Sequence, residues 1–166
     1  MPMLRSERNF LEKLADKIPG ISGYREREAR RETDRRLREY LARRLEEGRE
    51  SLQGLRRALL DGGEIGRLDD VGRLDGTLQR AAASLLYADA GYSGLFDQVK
   101  IREEELDRIY AYDEALLGSV QELSDSLRGF SASPPSVEAL TNLSRPADEL
   151  LQRITRRRDL LNTPTA

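Results

Sequence analysis

Leucines and their apolar equivalents recur every three or four residues over most of this chain, and that spacing constrains the fold more than any other feature. Leu37, Leu41, Leu45, Leu52, Leu55 and Leu59 form one stripe, interrupted only where Gly48 stands. Ile65, Leu68, Val71, Leu74, Leu78, Ala81 and Leu85 form a second. Leu106, Ile109, Asp113, Leu116, Val120, Leu123 and Leu127 form a third, and Ala147, Leu150, Ile154 and Leu161 a fourth. Side chains three and four apart share one face of a helix, so each stripe is a surface that must be covered. No segment shows the alternation and β-branched enrichment of a strand. The expectation is an all-α protein, an antiparallel four-helix bundle of the later half of 24–61 with 65–88, 102–128 and 145–161.

The breaks support this division. Gly62 and Gly63 follow Asp61 as a helix C-cap would, and Gly129 with SASPPS ends the third rod. Ser136 is placed to cap a short turn reaching Asn142, and Pro146 suits the first turn of the last helix. Glu103, Glu104 and Glu105 stand where the N-terminal end of a helix dipole favours acids, and Arg153, Arg156, Arg157 and Arg158 stand toward the C-terminal end of theirs. Upstream, Leu4, Leu11, Leu14 and Ile18 mark a short amphipathic helix with Phe10 beside its stripe. PGISG, Pro19 to Gly23, then makes a hinge. The expected organisation is 1–23 as helix and hinge, 24–161 as the bundle, and 162–166 as a loose tail.

The second rod is unusual in its first half. Between Arg25 and Arg36 ten of twelve residues are charged, all but Ala29 and Thr33. Such a run has little to bury alone, so residues 24–36 are expected to overhang the bundle as a long, charged extension, supported by pairs such as Glu26–Arg30 and Glu32–Arg36. Arg25 to Arg44 holds nine arginines against five acids. Interleaved signs favour a salt-bridged surface over a stripe for phosphate, which wants one sign. An overhang of mixed sign also suits self-association into a homo-oligomer.

Composition removes several chemistries. The chain of 166 residues has no cysteine and no histidine. Disulfides, thiolate zinc sites and imidazole catalysis are therefore absent. Di-iron bundles, which use Glu-x-x-His, are excluded as well. Asp69, Asp70, Asp75 and Gly76 miss the alternation of a calcium loop, and GGEIG lacks the lysine and context of a P-loop. No cofactor or metal is expected. No apolar run has the length to span a bilayer, and the N-terminal MPMLRSERNFLEKL lacks a signal peptide's apolar block; a cytoplasmic protein is expected.

Two features stand out against this background. Asp113 sits on an apolar stripe, where an unpaired charge is costly. It is expected to be a buried polar residue paired with an Arg or Tyr, or else the centre of a carboxylate site. YADAGYSGLFDQVKI, Tyr87 to Ile101, gathers Tyr87, Tyr92 and Phe96 around Gly91 and Gly94. Those aromatics plug the bundle end, with Tyr110 and Tyr112, or they form a contact surface.

The functional expectation is a non-catalytic adaptor or scaffold with a protein partner. Its contact residues are Tyr87, Tyr92 and Phe96 in the aromatic loop, and Arg25, Arg27, Arg30, Arg31, Arg35 and Arg38 on the charged helix. The alternative is binding of nucleic acid or an anionic membrane surface through Arg25–Arg44 and the N-terminal helix. A third reading is a carboxylate enzyme or metal binder around Asp113.

Overall fold

The computed structural model describes residues 2–88, 94–130 and 132–162. Among these residues there are six α-helices, one 3-10 turn and no strand. The helices are α1 (Arg5–Leu14), α2 (Arg27–Asp61), α3 (Leu68–Leu86), α4 (Glu103–Leu127), α5 (Val137–Thr141) and α6 (Ser144–Asn162); the 3-10 turn, Ile65–Arg67, leads into α3. No helix among the described residues is long and apolar enough to cross a membrane. All-helical architecture follows from the stripes: Leu37, Leu41, Leu45, Leu52, Leu55, Leu59, Leu74, Leu78, Leu116 and Leu150 all lie in one continuous core.

The helix ends obey local chemistry. Gly63 adopts a left-handed φ of 73°, and Glu64 N–H returns to the Leu59 carbonyl at 2.8 Å, closing α2. The Glu105 carboxylate accepts from the Arg102 backbone N–H at 3.2 Å and steadies the start of α4. Ser136 Oγ accepts from Ala139 N–H at 3.0 Å and starts α5. The glycine-weakened start of the second apolar stripe takes the 3-10 form, and α3 proper begins at Leu68.

Cross-helix pairs fix direction. Arg38 reaches the Leu85 carbonyl and Arg49 reaches Asp75, so α2 and α3 run oppositely. Ser124 Oγ donates to the Arg44 carbonyl, and Gly48 lies against Leu127. Tyr24, just before α2, meets Tyr110, so α2 and α4 run in the same sense. Asp113 meets Arg157 while Ser119 meets Arg153, so α4 and α6 run oppositely. Gly48 is buried, and a Cβ there would stand 2.9 Å from Leu127 Cδ1. It lets α4 approach where the leucine stripe of α2 is interrupted.

Helix α1 folds back after the hinge and lies along α4. Ser6 pairs with Asp107, Lys13 with Glu114 and, just past α1, Lys17 with Gln121; the partners advance together, so the two helices lie side by side in the same direction. Gly20 and Gly23 take left-handed φ values of 76° and 92°, which make the reversal.

The expected overhang is not observed. Arg30, Thr33 and Asp34 are buried, at 1%, 1% and 6% exposure. The segment 94–101 lies against this part of α2: Arg30 binds backbone carbonyls there, and Arg31 pairs with Asp97. Arg157 of α6 pairs with Asp34 from another side. The charges go inside because each meets an opposite charge or a carbonyl, the condition under which burial is tolerated. Arg30, Thr33 and Asp34 are thus covered by their own chain and are not presented to a second copy.

Candidate functional site

Asp113 is fully buried, and its carboxylate is held from two sides. Arg157 donates through Nε to Oδ1 at 2.6 Å and through Nη2 to Oδ2 at 3.1 Å. The Tyr24 hydroxyl donates to Oδ2 at 2.6 Å and accepts from Arg157 Nη2 at 3.0 Å. Arg157 Nη1 continues to Asp34 Oδ1 at 2.7 Å, and Asp34 Oδ2 accepts from Arg38 Nε at 2.9 Å. Two carboxylates and two guanidiniums thus close a neutral set at the centre of the molecule. The geometry is charge-assisted and partly bidentate.

Each group's acidity follows. Burial works to raise the Asp34 pKa, but the Arg157 and Arg38 charges outweigh it and hold the carboxyl below its usual range. Burial also opposes the Arg157 charge, yet Asp113, Tyr24 and Asp34 leave its pKa well above the ordinary guanidinium value. Tyr24 is pushed well above the usual phenol value by burial, then by the Asp113 charge. A general acid at neutral pH needs the opposite displacement from the one seen at Asp34.

A second layer joins the network to α1. Tyr110 Oη accepts from the Tyr24 backbone N–H at 2.6 Å and donates to Glu7 Oε1 at 3.3 Å. Arg25 bridges Glu7 Oε2 at 2.9 Å and Glu103 Oε1 at 2.7 Å. Around these polar groups the rings of Phe10, Tyr24, Phe96 and Tyr110 pack with centroids 5.1 to 6.1 Å apart. Arg30 is caged by backbone: Nε donates to the Tyr24 carbonyl at 2.8 Å, and Nη1 to the Gln98 carbonyl at 2.7 Å and the Phe96 carbonyl at 3.3 Å.

Beside the ionic set opens a cleft of about 270 Å³. Asp34 and Arg38 of α2 line it, together with Leu85 and Tyr87 at the end of α3, Phe96, and Ile154, Arg157, Arg158 and Leu161 of α6. Tyr87 is 84% exposed at this cleft, and Leu86 before it is 47% exposed.

The structure separates the residues singled out in the sequence. Phe96 is buried and stacks on Tyr24, so it serves the core and one wall of the cleft. Tyr87 faces solvent, and Tyr92 lies outside the described residues. Tyr112, half-buried on α4, donates to the Arg153 carbonyl at 2.8 Å instead of joining the plug. Among the arginines expected as contact residues, Arg30 and Arg38 are buried rather than open on the helix surface, and Arg38 lines the cleft. Burial and hydrogen bonding to their own chain remove most of their surface. Arg25 is half-buried between Glu7 and Glu103; Arg27, Arg31 and Arg35 are exposed, with Arg31 on Asp97 and Arg35 on Glu32 and Glu39.

Sequence reasoning missed Arg157, Asp34 and Glu7 as members of the interior. A signal existed for the first two. Arg157 stands three after Ile154 and four before Leu161, filling the gap in that stripe. Arg30, Asp34 and Arg38 extend the leucine face of α2 backward at four-residue steps.

The fold and site define an all-helical protein with a buried ionic set and an open cleft beside it. Compared with protein-family models, curated proteins and solved structures, the chain gives no match. Among the described residues no group of three or more acidic side chains is placed to hold a metal ion.

Proposed function

We infer that this chain is a non-catalytic interaction protein, an adaptor or scaffold built as a four-helix bundle of α2, α3, α4 and α6, and that it presents the cleft at Tyr87 to a protein partner. One observation carries the reading. The core aromatics Phe10, Tyr24, Phe96 and Tyr110 are all buried, whereas Tyr87 is 84% exposed at a cleft walled by apolar and cationic side chains. A tyrosine at the edge of a concave, partly apolar site is the composition that concentrates binding energy at protein interfaces. Exposed Arg27, Arg31 and Arg35 lie on the charged helix as peripheral contacts, Arg31 and Arg35 together with the carboxylates they already pair with.

The nucleic-acid alternative is less well supported. Of the nine arginines from Arg25 to Arg44, Arg25, Arg31, Arg35, Arg36, Arg38 and Arg44 pair with carboxylates and Arg30 is committed to carbonyls. Arg43 stacks on Tyr40 with its guanidinium 5.5 Å from the ring centroid. Phosphates would have to displace these carboxylates one by one, which weakens the counterion-release gain.

The test is a photo-crosslinking amino acid at position 87, with the same probe at exposed Ile65 as control, in cells of the source organism. A discrete adduct from position 87 that is missing from position 65, and is outcompeted by unlabelled protein but not by its Tyr87→Ala variant, supports the reading. Equal labelling from the two positions, or competition unaffected by Tyr87→Ala, sinks it.

A further inference from the structure

We propose that the cleft at Tyr87 reads an acidic peptide segment, in which an aspartate or glutamate of the partner is taken by Arg38 and Arg158 while a neighbouring apolar side chain settles against Leu85 and Phe96. This rests on the preceding reading of the cleft as a docking site and adds the chemistry of what docks.

The charge of the walls carries it. Three guanidiniums line the cleft, those of Arg38, Arg157 and Arg158, against one carboxylate, that of Asp34. The Asp34 charge is already met, since Oδ1 accepts from Arg157 and Oδ2 from Arg38. Arg157 is equally committed, with Nε, Nη1 and Nη2 all donating within the ionic set.

The other two arginines are not committed in this way. Arg38 is 6% exposed; its Nε goes to Asp34 and its Nη1 to the Leu85 carbonyl at 2.7 Å. Its Nη2 finds no hydrogen-bond acceptor among the described residues. Arg158 is exposed and has no ion pair among the described residues. A guanidinium offers five N–H donors in a planar fork, and a carboxylate is its matching acceptor. With Arg38 and Arg157 balanced by Asp34 and Asp113, the cleft holds one uncompensated positive charge, that of Arg158, and unused donors on Arg38 and Arg158 beside an apolar wall. At that wall the exposed ring of Tyr87 offers an apolar face that a small ion has no use for. An acid next to an apolar anchor on a peptide satisfies both parts at once.

The experiment pans the full chain against displayed random peptides and titrates the selected ones by fluorescence anisotropy. Selected peptides should share an aspartate or glutamate adjacent to an apolar residue. Changing that acid to its amide should weaken binding about tenfold, as should Arg158→Glu, which lies on the surface and keeps the fold by circular dichroism. A lysine in place of the peptide acid should recover binding to Arg158→Glu. Peptides that need Tyr87 but lack an acid, and are indifferent to Arg158→Glu, overturn the acid recognition while leaving the docking reading in place. Peptides indifferent to Tyr87→Ala remove the docking reading itself. Inorganic phosphate competing as well as the free peptide would mark a small-anion site and overturn the proposal.

Discussion

Arg157 and Asp113 meet as a two-pronged pair at the centre of the molecule, with Nε–Oδ1 at 2.6 Å and Nη2–Oδ2 at 3.1 Å and neither residue more than 4% exposed. Losing one member strands the other in a medium that solvates it poorly. Asp113→Ala and Arg157→Ala are each expected to cost about 3–5 kcal/mol in urea denaturation. Asp113→Leu combined with Arg157→Met removes both charges and fills the volume, so its cost should fall well below the sum of the single changes. Costs that add, or single losses under about 1 kcal/mol, would show that the pair contributes little to stability.

The same network sets a stability plateau. The Asp34 pKa is lower in the folded chain than in the unfolded one, so its contribution is complete above the unfolded value of about 4 and fades as pH falls toward the folded value. Tyr24 has its pKa raised, so its contribution is complete below about 10 and fades as pH rises beyond that. Denaturant midpoints should be flat between these limits and decline outside them. Asp34→Asn should flatten the acid limb and Tyr24→Phe the alkaline limb. An acid limb unchanged by Asp34→Asn would contradict the assignment.

The rods were readable because apolar periodicity reports which face is covered. The third rod, expected at 102–128, runs from Glu103 to Leu127, and the last, expected at 145–161, runs from Ser144 to Asn162. The inward turn of the charged run was not readable, since a face made of Arg30, Asp34 and Arg38 looks in sequence like a solvated one. What decides its direction is the partner that meets it. For Asp34 that partner is Arg157, 123 residues away. No local pattern encodes that distance. The same holds for the aromatic loop, where Phe96 goes in because Tyr24 is there to stack on, while Tyr87 stays out.

Two glycines offer a contrast in sign. Gly118 lies on the exposed face of α4, and a Cβ there would meet nothing within 4 Å. Gly118→Ala should stabilise by about 0.8–1 kcal/mol through helix propensity alone. Gly23 has φ of 92°, and its Cβ would stand 2.5 Å from the Tyr110 hydroxyl that accepts from Tyr24 N–H. Gly23→Ala should therefore destabilise by about 2–3 kcal/mol, combining left-handed strain with a weakened hydrogen bond. A thermal shift of the same sign for both variants would contradict the hinge geometry.

Arg30 ties the segment 94–101 to α2 through the carbonyls of Phe96 and Gln98, and it is the cationic member of the interior that no carboxylate bonds directly. Burial, and then its neighbour Arg27, pull its pKa down, so the carbonyls rather than a counter-ion keep it in place. Arg30→Met retains much of the apolar stem and removes the donors. The freed carbonyls can turn to water, so the effect should be local: faster amide exchange across 94–101, with the leucine face of α2 still protected. Global stability should fall by about 1–3 kcal/mol, the cost of carbonyls losing a charged donor. Because Phe96 walls the cleft, peptides selected on the native chain should also bind Arg30→Met more weakly without touching the changed residue. Hydrogen exchange across 94–101 that matches the native chain would mean that the Phe96–Tyr24 stack and the Arg31–Asp97 pair hold the segment without Arg30.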